Sequence, residues 1–362
     1  MKIAFTILLA IHGLSHLIGV AKAYNLAEIE ALKQPIGKTG GLFWLLAAAL
    51  FVMAIVLLWS NSRWWWLVAL AGVVVSQVLI FTVWSDARFG TIANIIILVA
   101  VAIGYGQFDF NKMVAREVAK IQSTQPQPQP EVVSEERVAL LPAPVQKWMN
   151  ASGMIGRQQI RHVQLKQNFN LKLQPDQEEW YLGKARQEVW TQEPAFVWTL
   201  DLKMMSVLQI AGRDRFADGK GAMLIKMLSL VPMVNEQDNP RIDQGALQRY
   251  LAEMLWYPSL ALSEFVSWKP VNENSAIATM DYRGTSGECT FFFNSEGMPD
   301  RVSAMRYRGG DEDAVLTEWV VEVQELRTMD GLQIPAKCAV TWKLDSGDWT
   351  WAELEVTEYR HK

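Results

Sequence analysis

Four long apolar stretches occupy the first third of this 362-residue chain and constrain its fold more than any other feature. They run from Ile3 to Ala21, Gly41 to Trp59, Trp64 to Trp84 and Phe89 to Phe108. Roughly 20 apolar residues of helix cross a hydrocarbon core about 30 Å thick, and runs of this kind leave no polar face for water. The sequence therefore predicts a four-helix transmembrane bundle within residues 1–110, with helices over about 3–21, 41–59, 64–84 and 89–108. Trp59, Trp64, Trp65 and Trp66 flank the short segment 60–63, and indoles favour the headgroup layer, so the second and third helices read as a hairpin. Trp84 and Tyr105 suit other helix ends in the same way. Lys2, the first stretch and Ala21-Lys22-Ala23 also mimic a signal peptide; the length of the stretch, its two histidines and the helices that follow favour retention.

Charge divides the chain at the same place. Residues 1–110 hold four Lys, two Arg, two Asp and two Glu, so a net +2 there leaves −6 of the total −4 for the remainder. No basic excess points to nucleic acid, and two Cys cannot build a disulfide framework. With four spans, Lys2, Arg63, Lys112, Arg116 and Lys120 share one side, against Lys22, Lys33, Lys38 and Arg88 on the other. Five against four narrowly favours a cytoplasmic N-terminus and C-terminal domain.

After Gln122 the chain reads Ser-Thr-Gln-Pro-Gln-Pro-Gln-Pro, in which repeated proline blocks helix and sheet ladders. Residues 111–135 are thus expected to be a juxtamembrane segment and linker, and 136–362 a second domain. A short helix is expected over Pro144 to Ala151, closed by Gly153 and Gly156. Period two then takes over: Val163, Leu165, Phe169, Leu171 and Leu173 alternate with polar residues, as do Phe196, Trp198, Leu200, Leu202 and Met204, and later Ala336, Cys338, Val340, Trp342 and Leu344. Each strand is expected to have one wet and one dry face. Turn dipeptides at Asp218-Gly219, Glu296-Gly297 and Asp330-Gly331, with Ser346-Gly347-Asp348, predict an antiparallel meander. One helix interrupts it, with Ile242, Leu247, Tyr250, Leu251, Met254 and Leu255 at helical spacing before Pro258. The expected fold is an α+β membrane protein: a four-helix transmembrane bundle followed by a curved, half-barrel-like antiparallel β-sheet with one or two packed helices.

Candidate chemistry is sparse. His12 and His16, at i and i+4, share one face of the first helix, where metal or haem ligation or a proton relay would use them. Interhelical hydrogen bonding to Ser15, Ser76, Gln77 or Asn94 would use them as well, and the lack of a third ligand nearby favours it. Asp86 and Arg88 either form a mouth to the bundle or cap a turn at the interface. The segment Gly212 to Gly221 fails the GxxxxGK[ST] spacing and reads as a hairpin with solvated charges, and Arg249 with Glu253 as a surface ion pair. No catalytic constellation is visible: His162 and His361 lie near no G-x-S-x-G elbow, no H-E-x-x-H exists, and Cys289 and Cys338 fall in strands as packing thiols.

Several segments resemble a bacterial family of unknown function: Leu141-Pro142-Ala143-Pro144-Val145-Gln146-Lys147-Trp148, Ala195-Phe196-Val197-Trp198, Asp218-Gly219-Lys220-Gly221, Arg249-Tyr250-Leu251-Ala252-Glu253 and Trp256-Tyr257-Pro258. Members look like this sheet domain alone or joined to four N-terminal membrane helices. The joined form resembles His12-Gly13-Leu14-Ser15-His16 and Trp84-Ser85-Asp86-Ala87-Arg88-Phe89-Gly90 here. The resemblance implies no activity and no catalytic residue; stand-alone members without export signals lean the sheet domain toward the cytoplasm. In plan, the expected sheet also looks like bacterial lipoprotein carriers and related lipid-binding half-barrels, an architectural likeness that does not imply function.

The sequence thus leads to a multi-pass protein of the bacterial inner membrane, without cofactor or catalytic metal, whose partners are the bilayer and a hydrophobic ligand such as a lipid or acyl chain. Trp198, Met204, Tyr250, Met254 and Trp256 are expected to line the ligand site, with Met205, Met223, Met227 and Met233 beside them, because soft, adaptable side chains suit irregular apolar ligands. The alternatives are a membrane oxidoreductase with haem or metal at His12 and His16, and a membrane-anchored protein-interaction module.

Overall fold

The computed structural model describes residues 2–30, 32–127, 129, 131–204 and 208–362; Pro128 and Pro130 of the expected linker, and Met205, lie outside the described residues. The chain divides near Lys112 into a helical unit and a sheet unit.

The helical elements are α1 (Lys2–Ala23), α2 (Lys38–Trp59), α3 (Trp65–Thr82), α4 (Trp84–Ala87) and α5 (Gly90–Thr124). Four of them, α1, α2, α3 and α5, are long and apolar enough to cross a membrane. Their packing inverts the pattern of a water-soluble bundle. On α1, Ile3, Ile7, Ile11, Leu14 and Ile18 are exposed, whereas His12, Gly13, His16 and Gly19 are buried. Small and polar residues at helix contacts, with large aliphatics facing out, are what association in an apolar solvent favours. Close approach is strictest at Gly19, where an added Cβ would sit 2.2 Å from the Trp44 ring of α2.

The last long helix does not stop near Phe108 but continues to Thr124. Its final turns, from Met113 on, belong to the sheet unit and are amphipathic: Val114, Val118 and Ile121 pack with Trp190, Ala195 and Val197 of that unit, and Glu117 lies 3.3 Å from Arg213 and 3.8 Å from Arg215. The outer face of the sheet is therefore dry where α5 lies on it, which corrects the expectation of one wet face along every strand.

In the sheet unit, α6 (Glu135–Val138) and α7 (Ala143–Ala151) precede β1 (His162–Leu171), β2 (Tyr181–Trp190), β3 (Ala195–Met204), β4 (Leu208–Ala217), β5 (Lys220–Met227) and β6 (Val231–Gln237). Then come α8 (Pro240–Ala252), β7 (Val266–Asn272), β8 (Ser275–Tyr282), β9 (Thr285–Phe293), β10 (Pro299–Tyr307), β11 (Leu316–Met329), β12 (Leu332–Leu344) and β13 (Gly347–His361). All thirteen strands form one open antiparallel sheet in the order β6-β5-β4-β3-β2-β1-β13-β12-β11-β10-β9-β8-β7. Two meanders are thus fused through the β1–β13 pairing, and α8, extended by 3₁₀ turns at Glu253–Trp256 and Pro258–Leu262, connects the two sheet edges.

Helix α8 touches β4 and β5 in one half of the sheet and β8, β9 and β10 in the other, so the sheet must curl around it. At one end the two halves meet directly. The Thr285 hydroxyl donates to the Gly219 carbonyl (2.7 Å), and Arg283 pairs with Asp218 at 2.8 Å. The Asp218-Gly219 and Asp330-Gly331 turns have both residues left-handed, as the sequence suggests. Leu228 and Ser229 take the same conformation without any turn signal. Leu173 lies beyond the end of β1 and is exposed, on the same side as Phe169 and Leu171.

Replacing Gly19 by Ala is expected to lower the thermal midpoint of the detergent-solubilised protein, at an overpacking cost of about 1–3 kcal/mol. Trimming Trp44 to Leu in the same chain should recover part of the loss. An unchanged midpoint for Gly19→Ala would contradict this packing.

Candidate functional site

Inside the curl lies a cavity of about 690 Å³, bounded by α8 and strands from both halves of the sheet. The volume falls in the range of small-molecule sites. Six of the ten tryptophans beyond residue 110 line it: Trp198, Trp256, Trp319, Trp342, Trp349 and Trp351. Met204, Met223, Met227 and Met233 line it as well. Trp198, Met204 and Trp256, expected at a ligand site, are brought together here.

Tyr250 and Met254 are not among the lining residues, and the geometry of α8 gives the reason. Gly245, Ala246, Arg249, Ala252, Glu253 and Trp256 recur at helical spacing on the cavity side. Leu247, Tyr250, Leu251 and Met254 fall on the other side and are fully buried. The Tyr250 hydroxyl donates to the Trp190 carbonyl (2.9 Å), the Tyr257 hydroxyl donates to the Tyr250 carbonyl (2.6 Å), and burial raises both phenols well above their ordinary pKa. Both tyrosines hold the helix in place.

The cavity has a polar floor that period-two reading does not show. Arg249 pairs with Asp214 at 2.7 Å and with Glu253 at 2.8 Å, and its guanidinium lies 4.7 Å from the Trp198 ring. Gln187 donates to Glu253, and the Trp198 indole N–H donates to Gln167, itself buried (3.2 Å). The expected surface ion pair is thus an interior one. Burial pushes the Asp214 carboxyl up, opposed by Arg249. Arg306 reaches the same floor from β10: its Nη2 donates to the Gly245 carbonyl (2.7 Å), its guanidinium sits 4.3 Å from the Trp319 ring, and burial brings it down to about 10.

The Gly212 to Gly221 segment is the expected hairpin, β4 paired with β5, with Asp218 and Lys220 solvated but its other charges drawn inward. Arg213 is buried against Glu117, Asp214 faces the cavity, and the Asp243 carboxylate of α8 accepts from the Gly221 amide and the Lys220 ammonium, each at 2.8 Å. A side-chain carboxylate thus occupies the space beside the Gly221 amide. Burial pushes the Cys289 and Cys338 thiols up to about 12, consistent with packing thiols.

In the helical unit, His12 and His16 belong to a buried polar cluster that ties α1 to α3 and α5. His12 Nε2 lies 2.8 Å from Asn94 Oδ1 and 3.2 Å from Ser76 Oγ; His16 Nε2 lies 2.9 Å from the same hydroxyl, and His16 Nδ1 2.7 Å from the His12 carbonyl. Asn94 donates onward to Gln77 (3.1 Å). Ser15 stays outside this interhelical set and donates to the His12 carbonyl of its own helix. Among the described residues, no group of three or more His, Cys, Asp or Glu side chains is placed to share a metal ion. Among the described residues Asp86 caps no helix of its own; it accepts from the backbone amides of Lys33 (2.7 Å) and Gln34 (3.1 Å), and the Gln34 amide leads the contacts that hold its carboxyl below the usual range. Arg88 is exposed, 5.1 Å from the Phe89 ring, and among the described residues makes no ion pair with Asp86.

With this geometry in place, comparison with known proteins gives one decisive match. The profile of a family of unknown function (DUF6920) matches residues 139–361, more than half of the chain. The chain belongs to this family. No curated protein matches it. Among solved structures, a DUF1329 family protein from Desulfovibrio piger ATCC 29098 is similar at 7% identity, with a TM-score of 0.36, covering 64% of this chain and 94% of that one.

In this DUF6920 member, sequence reasoning missed Trp349 and Trp351 for a definite reason. Strand β13 carries an unpaired residue at Trp351 and another at Thr357, where its register with β12 and with β1 shifts. Each bulge reverses the alternation. Trp349 and Trp351 line the cavity, yet so does Leu354, and Ala352 and Val356 are buried with it.

Proposed function

We propose that this chain is a multi-pass protein of the bacterial inner membrane whose sheet domain binds a hydrophobic ligand, a lipid or acyl chain, without catalysing a reaction. The observation that carries this reading is the cavity itself: a curled sheet holds about 690 Å³ open beside its own helix and walls it with six tryptophans. Unfilled apolar space forfeits dispersion contacts, so a chain under selection for stability alone would close it. Aromatic and thioether walls adapt to flexible apolar ligands of varied outline. The inside-out burial of α1 supports insertion in a bilayer, and the lysine and arginine balance supports a cytoplasmic sheet domain.

Native mass spectrometry of the full chain released from mild detergent is expected to show a co-purified lipid or fatty acid at up to one per protein. Finding none, with none taken up from added lipid, would contradict the reading. On topology, protease added to spheroplasts is expected to leave the sheet domain intact until the membrane is broken; prompt cleavage would place it outside.

A further inference from the structure

Among the described residues, Arg306 is the cation of the cavity floor that makes no ion pair. Its neighbours on the floor, Asp214 and Glu253, are both engaged by Arg249 at 2.7 and 2.8 Å. Among the described residues no carboxylate comes within 4.0 Å of Arg306, and its one hydrogen bond runs from Nη2 to the Gly245 carbonyl. Among the described residues its Nε–H has no acceptor, and neither has the indole N–H of Trp319, the ring that stacks beneath it. Both are donor-only groups, so a complementary ligand atom must be an acceptor. Cation–π contact with Trp319 offsets part of the cost of burying this charge, and a paired anion would offset more.

Two further observations point the same way. An added Cβ on Gly245 would lie 3.2 Å from Arg306 Nη2, so glycine in the middle of α8 is what gives the guanidinium its seat. Glycine there is costly to a helix relative to alanine. The charges lining the cavity are also lopsided. Lys172, Arg215, Arg241, Arg249, Arg306 and Arg308 are cationic, against Asp214 and Glu253. Of these cations Arg215 is also engaged by Glu117. This excess sits in a sheet-bearing part of the chain whose net charge is negative.

We infer that the ligand is an anionic amphiphile, its carboxylate or phosphate head bound by Arg306 and its apolar tail lying along the tryptophan wall. The inference rests on the proposed function and adds to it the chemistry of the head group. Arg306 pairs in two parallel hydrogen bonds with either kind of oxyanion, whereas a neutral head of the same chain length leaves the charge unmatched.

The test titrates the full-length protein in a neutral detergent at pH 8, following tryptophan fluorescence, with three probes that share one tail: oleate, 1-oleoyl lysophosphatidate and oleyl alcohol. At least one anion is expected to bind ten-fold or more tightly than the alcohol, and the anion that does so distinguishes carboxylate from phosphate. Arg306→Met should bring that anion to the level of the alcohol, and Arg306→Lys should keep part of the preference. Equal binding of all three probes by the unaltered protein would overturn the inference and leave the apolar-ligand reading standing. Survival of the preference in folded Arg306→Met, checked by circular dichroism, would overturn it as well. Binding of none of the three would remove both.

Discussion

The pairing of β1 with β13 is the constraint on which the sheet unit depends. It joins strands nearly two hundred residues apart, Val163 opposite His361 and Leu171 opposite Ala352, and turns two meanders into one sheet. Without it each meander would have another unpaired edge and α8 would lie on one of them only. With it, the sheet is long enough to curl until β4 and β5 on one side and β9 and β10 on the other both reach the same helix. The cavity is the space this curl does not fill.

What keeps that space from collapsing is the double role of α8. One side is anchored by tyrosine hydroxyls and fully buried aliphatics. The other presents small residues, Gly245, Ala246 and Ala252, and a charged pair, Arg249 with Glu253, which cannot be pulled into apolar packing without losing partners. A buried ion pair contributes little net stability in such a setting, but it fixes where polar atoms stand. The bulges of β13 act on the same volume, because each reverses which residues face inward beside the floor.

Much of this was legible in residue order, and the exceptions share a cause. The four apolar helices, the alternation of β1 and β3, the hairpins at Asp218 and Asp330 and the interrupting helix all follow from local patterns. The placement of Trp198, Met204 and Trp256 follows as well, since alternation and helical spacing aim them inward. Arg306, Asp214 and Gln167 do not, because a polar residue on a dry face carries no signal of its own until its partners, from other strands, are known. Arg249 and Glu253 were visible as an i, i+4 pair, yet their burial depends on the far half of the sheet. Likewise His12 and His16 announce a polar face, while their connection to Ser76 and Asn94 is a property of three helices together. The helical extension of α5 to Thr124 is amphipathic rather than apolar, so it lies outside the signal that marks a membrane span.

If the curled sheet keeps an apolar volume open for a ligand, filling that volume from Gly212 should abolish binding without harming the fold. This glycine of β4 lines the cavity, and an added Cβ there would meet nothing closer than the Leu200 Cβ, at 3.5 Å. The measurement is uptake of an apolar fluorescent probe by Gly212→Leu in the full chain, with its thermal midpoint recorded alongside. The expected result is a midpoint equal to or above that of the unaltered protein and probe binding reduced ten-fold or more. A sharply lowered midpoint, or probe binding that persists undiminished, would contradict it.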